Sequence, residues 1–202
     1  MEPKKSQTGA GIRRWLLWIS ALTILLIMGI VAYRMIVPAL LTLGPPHTFS
    51  HPAAQLSPDL LASWQKEAKD SGIGDRDELV EFVLRRTAGI LHPDFNHTYS
   101  LEFKTPRPAH CLEYSHLFGT TFNHLARKLG IEYRAMVVRS NTARFAGQKI
   151  PLPGFDNHDW ILVVPLVNYV LSSQAFSSDS LYLDPMLYDV FFVSDVEASV
   201  IP

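Results

Sequence analysis

Residues 111–138 read CLEYSHLFGTTFNHLARKLGIEYRAMVV, and a change of period inside this stretch decides the fold class. Up to Leu129 the apolar positions Leu117, Phe118, Phe122, Leu125, Ala126 and Leu129 recur at helical spacing, and Gly130 suits a left-handed C-cap. From Ile131 onward the pattern becomes strand-like. The spacing predicts a central, largely buried helix followed directly by a strand. Gly119, inside the helix, predicts close packing against another backbone.

Working outward, 158–164 (HDWILVV) and 181–184 (LYLD) read as strands, the first apolar enough to be covered on both faces. Residues 191–193 are a further strand candidate. Upstream, Ser57-Pro58-Asp59 supplies an N-cap, a proline at the first helical position and an acid in the first turn, predicting a helix through Lys69. Asp75 and Glu78 form a capping-box variant for a second helix with the stripe Leu79, Phe82, Val83 and Ile90. Pro93, Pro106 and Pro108 punctuate a long irregular stretch that stops just before Cys111. Helices first and strands afterwards argue for α+β with a predominantly antiparallel sheet.

From Trp15 to Tyr33 the chain runs 19 residues without a charge. As a helix this spans about 28 Å, close to the hydrocarbon thickness of a bilayer. Lys4, Lys5, Arg13 and Arg14 precede it, opposed only by Glu2, which predicts a cytoplasmic N-terminus and an exported remainder. A buried core helix would carry a polar face, and a cleaved signal peptide a shorter apolar region, so the segment reads as a signal-anchor in the inner membrane. The expected organisation is a cytoplasmic stretch at 1–14, an anchor at 15–37, a linker at 38–57 and a folded domain at 58–202. Pro38, Gly44, Pro45, Pro46 and Pro52 give the linker the composition of an extended spacer.

The 202 residues are 48% hydrophobic with a formal net charge of −1, which excludes a disordered chain and gives no basic excess for a nucleic-acid partner. The single cysteine excludes an internal disulfide framework and any zinc site with two thiolates from one chain. Cys111 opens the buried helix, where unpaired N–H groups and the helix dipole favour a thiolate, the attacking form of cysteine. His158 opens a strand and Asp184 closes a later one. If these strands are antiparallel neighbours, carboxylate and imidazole meet, and the far ring nitrogen faces the thiol. A core cysteine, a solvated histidine and a turn-initiating Asp184-Pro185 are the bland alternatives.

These residues carry a resemblance. Cys111-Leu-Glu-Tyr114 matches the C-x-[DE]-[YF] helix start of the transglutaminase-like superfamily, and Leu129-Gly130-Ile131 with the strand from Tyr133 matches its helix-to-strand junction. His158-Asp-Trp160 resembles the family's H-x-W strand, and Leu181-Tyr-Leu-Asp184-Pro185 its LDP strand, in the family's Cys, His, Asp order. The resemblance covers roughly residues 75–195. It implies a papain-like fold and the catalytic triad Cys111, His158 and Asp184. It also implies acyl chemistry on peptide or carboxamide bonds of a protein or peptide substrate, either as cysteine protease or amidase hydrolysis or as transglutaminase-type acyltransferase chemistry. Cofactor and metal are expected to be none, and no acidic cluster suggests calcium. The family's upstream oxyanion donor has no Gln equivalent after Gln65, which leaves Tyr99, His97 and His110 as candidates.

Trp160 shares a strand face with His158 and reads either as a wall of the site or as core. Glu113 reads as an acid favoured by the helix dipole. Residues 140–157 read as a loop reaching the active-site rim. Two other functions compete with the thiol enzyme: a non-catalytic scaffold domain, and a metal sensor using Cys111 with His110, His116 or His124.

Overall fold

The computed structural model describes residues 8–48, 54–94, 98, 100–103, 106–150, 157–167, 179–191, 193 and 196–198. The chain divides into two compact units, Met1–Val37 and Pro38–Pro202. The first is formed by helix α1 (Thr8–Leu40), which carries the segment Trp15–Tyr33, long and apolar enough to cross a membrane. Its large side chains are exposed, Trp18 at 75% and Leu22 at 70%, as expected of a helix whose partner is not its own protein.

The second unit is mixed α+β. Its main sheet joins β2 (His47–Thr48), β7 (Tyr133–Ser140), β10 (His158–Pro165) and β11 (Leu181–Leu183) in the order β11-β10-β7-β2, with every pairing antiparallel. Helix α4 (Cys111–Leu129) lies on one face of this sheet, between it and α3 (Arg76–Ile90). Phe118, Phe122 and Leu125 of α4 pack there with Ile161 and Val163 of β10, all fully buried. The helix ends at Gly130, whose φ of 74° is the left-handed conformation that glycine adopts without a Cβ clash. Asn123 of α4 then clamps the returning strand, its Nδ2 donating to Ala135 O (2.8 Å) and its Oδ1 accepting from Ala135 N (2.9 Å).

The opposite sheet face is covered by a second layer. Strand β1 (Leu41–Leu43) runs antiparallel to β8 (Ala143–Phe145) and parallel to β12 (Glu197–Ala198), with β9 (Gln148–Lys149) at the edge. Leu41, Leu43 and Ala143 seal Trp160, Leu162 and Val164 from that side. Strand β10 is therefore buried on both faces, which is why it reads as a continuous apolar run.

This layer corrects the expectation of a linker at 38–57. Residues 41–43 and 47–48 pair with strands ninety or more positions away, and β3 (Gln55–Leu56) runs parallel to β5 (Glu102–Phe103). Gly44, Pro45 and Pro46 separate β1 from β2, Pro38 lies in α1, and Pro52 lies outside the described residues. Gly44 sits close against the neighbouring segment: a Cβ there would crowd the Thr142 side chain and stand 3.2 Å from its carbonyl oxygen, while the Gly44 N–H donates to Thr142 O and its carbonyl accepts from Ser140 Oγ.

Three further expectations change. Residues 143–149 are a β-hairpin, not a loop, turned at Ala146 and Gly147 with φ of 50° and 78°, the two positive values of a tight two-residue connection; residues 151–156 of the same stretch lie outside the described residues. Gly119 does not face a backbone: a Cβ there would meet side-chain atoms of Val137 and Ile161 at ordinary distances of 3.5 and 3.6 Å. Phe191 closes helix α5 (Pro185–Phe191) and starts no strand, because Asp184 Oδ1 accepts from Met186 N and Leu187 N (3.1 Å each) and so caps a helix at Pro185. The cap expected at Ser57 of α2 (Pro58–Asp70) makes no side-chain bond, whereas Asp75 accepts from Glu78 N at 2.9 Å as predicted for α3.

Candidate active site

Strands β4 (Leu91–Pro93) and β6 (Arg107–Ala109) form a two-stranded parallel ribbon where an irregular stretch was expected. Each has a single neighbour, so its proline is tolerated on the unpaired side. Asp94 N–H donates to Ala109 O (2.8 Å), which fixes the chain two residues before the helix begins. His110 is the N-cap of α4: its Nδ1 accepts from Leu112 N (3.3 Å), and its own N–H donates to Glu113 Oε2 (3.0 Å), a capping box with an imidazole in place of the usual hydroxyl.

Glu113 does more than complement the helix dipole. It is fully buried, and its Oε1 accepts from Ser100 N (2.9 Å) and from the Arg107 guanidinium. One carboxylate thereby ties the helix start to the strand before it and to the chain at Ser100. Cys111, the first helical residue, is held by this frame and is itself half-buried.

On the sheet side, His158 opens β10 and Asp184 directly follows β11. The register Ile161↔Leu183 brings these two ends together, and His158 Nε2 is bonded to Asp184 Oδ2. Both are buried, at 2% and 0% exposure. With Nε2 committed to Asp184, Nδ1 is the ring nitrogen left to face the Cys111 thiol, with which His158 interacts electrostatically. The structure brings Cys111, His158 and Asp184 into one chain of contacts.

The electrostatics follow from the burial and the partners. Crowding by protein pushes the Cys111 thiol up, but hydrogen bonds from His110 and His158 and the charge of His158 outweigh it and bring the thiol to about 7. Burial alone would strip the proton from His158; the charge and hydrogen bond of Asp184, with the thiol adding to them, hold it well above the ordinary imidazole range. A thiolate–imidazolium pair is the state these terms favour.

Sequence reading missed one charged pair beside the thiol. Asp159 is buried at 2% and makes a bidentate pair with Arg139, whose Nε and Nη2 donate to its two oxygens at 2.8 and 2.9 Å. The charge of Asp159 opposes the thiolate, and Arg139 both satisfies that carboxylate and senses the charge of Cys111. The pair is directly opposite in the β7–β10 register, so only the strand alignment reveals it. His110, one of the oxyanion candidates, caps the helix that Cys111 opens. His97 and Tyr99, the other oxyanion candidates, lie outside the described residues. Trp160 belongs to the core, its Nε1 donating to Ser140 Oγ (2.8 Å) and its ring 5.6 Å from that of Tyr182. Among the described residues no three His, Cys, Asp or Glu side chains are grouped to hold a metal ion, which leaves the metal-sensor reading without a donor set there.

The chain matches no family model, no curated protein and no solved structure.

Proposed function

We propose that this chain is a membrane-anchored thiol enzyme of transglutaminase-like, papain-like type, cleaving or transferring peptide or carboxamide acyl groups with Cys111 as nucleophile, His158 as proton carrier and Asp184 as its orienting carboxylate. The observation that carries this reading is the buried His158, bonded to Asp184 and coupled electrostatically to a half-buried thiol at a helix N-terminus. In the acylation step the thiolate forms a bond to the carbonyl carbon, the C–N bond breaks, and the imidazolium passes its proton to the departing amine. Water or a second amine then attacks the thioester, gives its proton to His158, and releases Sγ as thiolate. The Cys111 N–H, at the first helical position, is suited to part of the developing oxyanion.

The rate dependence on pH has a defined sign. A thiol at about 7 must lose its proton for attack, so Cys111 alkylation by iodoacetamide is expected to rise through about pH 7, below the range of an ordinary cysteine. Turnover is expected to fall again well to the alkaline side of the ordinary imidazole range, where His158 gives up the proton needed by the leaving amine. Alkylation no faster than that of a model thiol, and unchanged by His158→Ala, would refute the reading.

The same proposal places the anchor in the inner membrane with Lys4, Lys5, Arg13 and Arg14 on the cytoplasmic side and the domain outside. A C-terminal reporter that works only after export is expected to be active on the full chain; a reporter that works only in the cytoplasm, active in its place, reverses the topology.

A further inference from the structure

We propose that Tyr114 and Asp189 are positioning residues of the triad, their hydrogen bond tying the helix that begins with Cys111 to the helix that Asp184 caps. The proposal rests on the thiol-enzyme reading of the site and adds a pair that the triad does not contain.

Both helices begin at the site. Cys111 is the first residue of α4, and Asp184 directly precedes α5. Asp184 is fixed to α5 by the bonds from Met186 N and Leu187 N to its Oδ1, and its carbonyl accepts from Tyr188 N (3.0 Å). Any movement of α5 is therefore a movement of Asp184, whose Oδ2 is bonded to His158 Nε2. On its other side Asp184 is tethered only through the three residues of β11, at the edge of the sheet.

Tyr114 lies three positions after Cys111, and Asp189 five after Asp184, so each stands within about one and a half turns of its helix start. Tyr114 is fully buried, in a cluster with Leu117 of α4 and Met186 of α5. Its hydroxyl donates to Asp189 Oδ2. Apolar contact has no direction, whereas a hydrogen bond demands both distance and angle. The hydroxyl thus sets how far α5 can slide along α4, and with it the place of Asp184. Asp189 itself lies in the last turn of α5, where the helix dipole disfavours an acid. Its partner on α4 explains an acid there. Burial first, and then the bond and charge of Asp189, push the Tyr114 phenol well up from its ordinary value, so it stays a donor while the thiol titrates at about 7.

The test uses the full chain in detergent and reads the pH midpoint of iodoacetamide alkylation, with His158→Ala as control. Tyr114→Phe keeps the ring and removes the donor, Asp189→Ala removes the acceptor, and Asp189→Asn keeps an acceptor oxygen. Tyr114→Phe and Asp189→Ala are each expected to raise the midpoint by about half a unit, slowing alkylation about threefold below pH 7, with the plateau above pH 9 unchanged. Asp189→Asn is expected to keep the wild-type midpoint, and the double variant Tyr114→Phe/Asp189→Ala to shift no further than either change alone. If Tyr114→Phe does not fold, Asp189→Ala against Asp189→Asn makes the same comparison from the half-buried partner. A wild-type midpoint in Tyr114→Phe and Asp189→Ala, with His158→Ala shifted, makes the bond one of stability alone, whatever the melting temperatures. That result, or shifts that add in the double variant, overturns the positioning role and leaves the triad standing. A wild-type midpoint in His158→Ala as well overturns both.

Discussion

Asp184→Asn is expected to leave the domain folded while raising the Cys111 thiol from about 7 toward its ordinary 9.0, cutting alkylation at pH 6 by up to about 100-fold. The amide keeps an oxygen in the place of Oδ1, so the bonds to Met186 N and Leu187 N that start α5 survive. What is lost is the negative charge at His158 Nε2. Without it, burial decides, and a buried imidazole prefers to be neutral. The ion pair then reverts to thiol and imidazole, and the amide N–H₂ faces the ring nitrogen that should carry a proton. For amide substrates the corresponding loss in kcat is about 10³–10⁴-fold, the scale set by an Asp-to-Asn change in a triad. An Asp184→Asn protein with a wild-type alkylation profile would remove Asp184 from the mechanism.

Glu113→Ala is expected to produce the largest loss of stability near the site, about 3–5 kcal/mol, because it strands a guanidinium and two N–H groups in the interior. Arg107 keeps only 15% side-chain exposure and stacks over Phe103 at 4.8 Å, so it has little access to water once its partner is gone. Ser100 N–H and His110 N–H lose their acceptors at the same time. In thermal unfolding of the full chain this corresponds to a melting temperature lower by roughly 6–20 °C. Glu113→Gln, which retains an oxygen acceptor, is expected to lose less than half as much. A Glu113→Ala protein within 1 °C of wild type would mean that the carboxylate serves only the helix dipole.

Glu113 illustrates how far sequence reasoning reached. An acid in the first turn of a helix is legible as such, since the dipole argument needs only the helix and its direction. That this acid is buried and shared among Ser100, Arg107 and His110 depends on a parallel ribbon between residues 91–93 and 107–109. No local pattern announces a pairing of that kind, and the prolines in both strands argue against strands altogether. The stretch 38–57 misleads for the same reason: a proline- and glycine-rich segment has the composition of a spacer whether or not it meets partners a hundred residues later. Only burial of Leu41 and Leu43 against Trp160 distinguishes the two.

By itself the sequence determined the elements whose cause lies within a few residues. These are the apolar helix Trp15–Tyr33, the amphipathic α3 with its Asp75 cap, α4 from Cys111 to its glycine stop, and the doubly covered β10. Helical and strand periods are local quantities, and so are caps. The tertiary structure alone decided which ends meet. Strand register joined His158 to Asp184 and Arg139 to Asp159. Such contacts join groups up to 26 positions apart, where a shift of one residue in register would turn each side chain to the opposite face of the sheet.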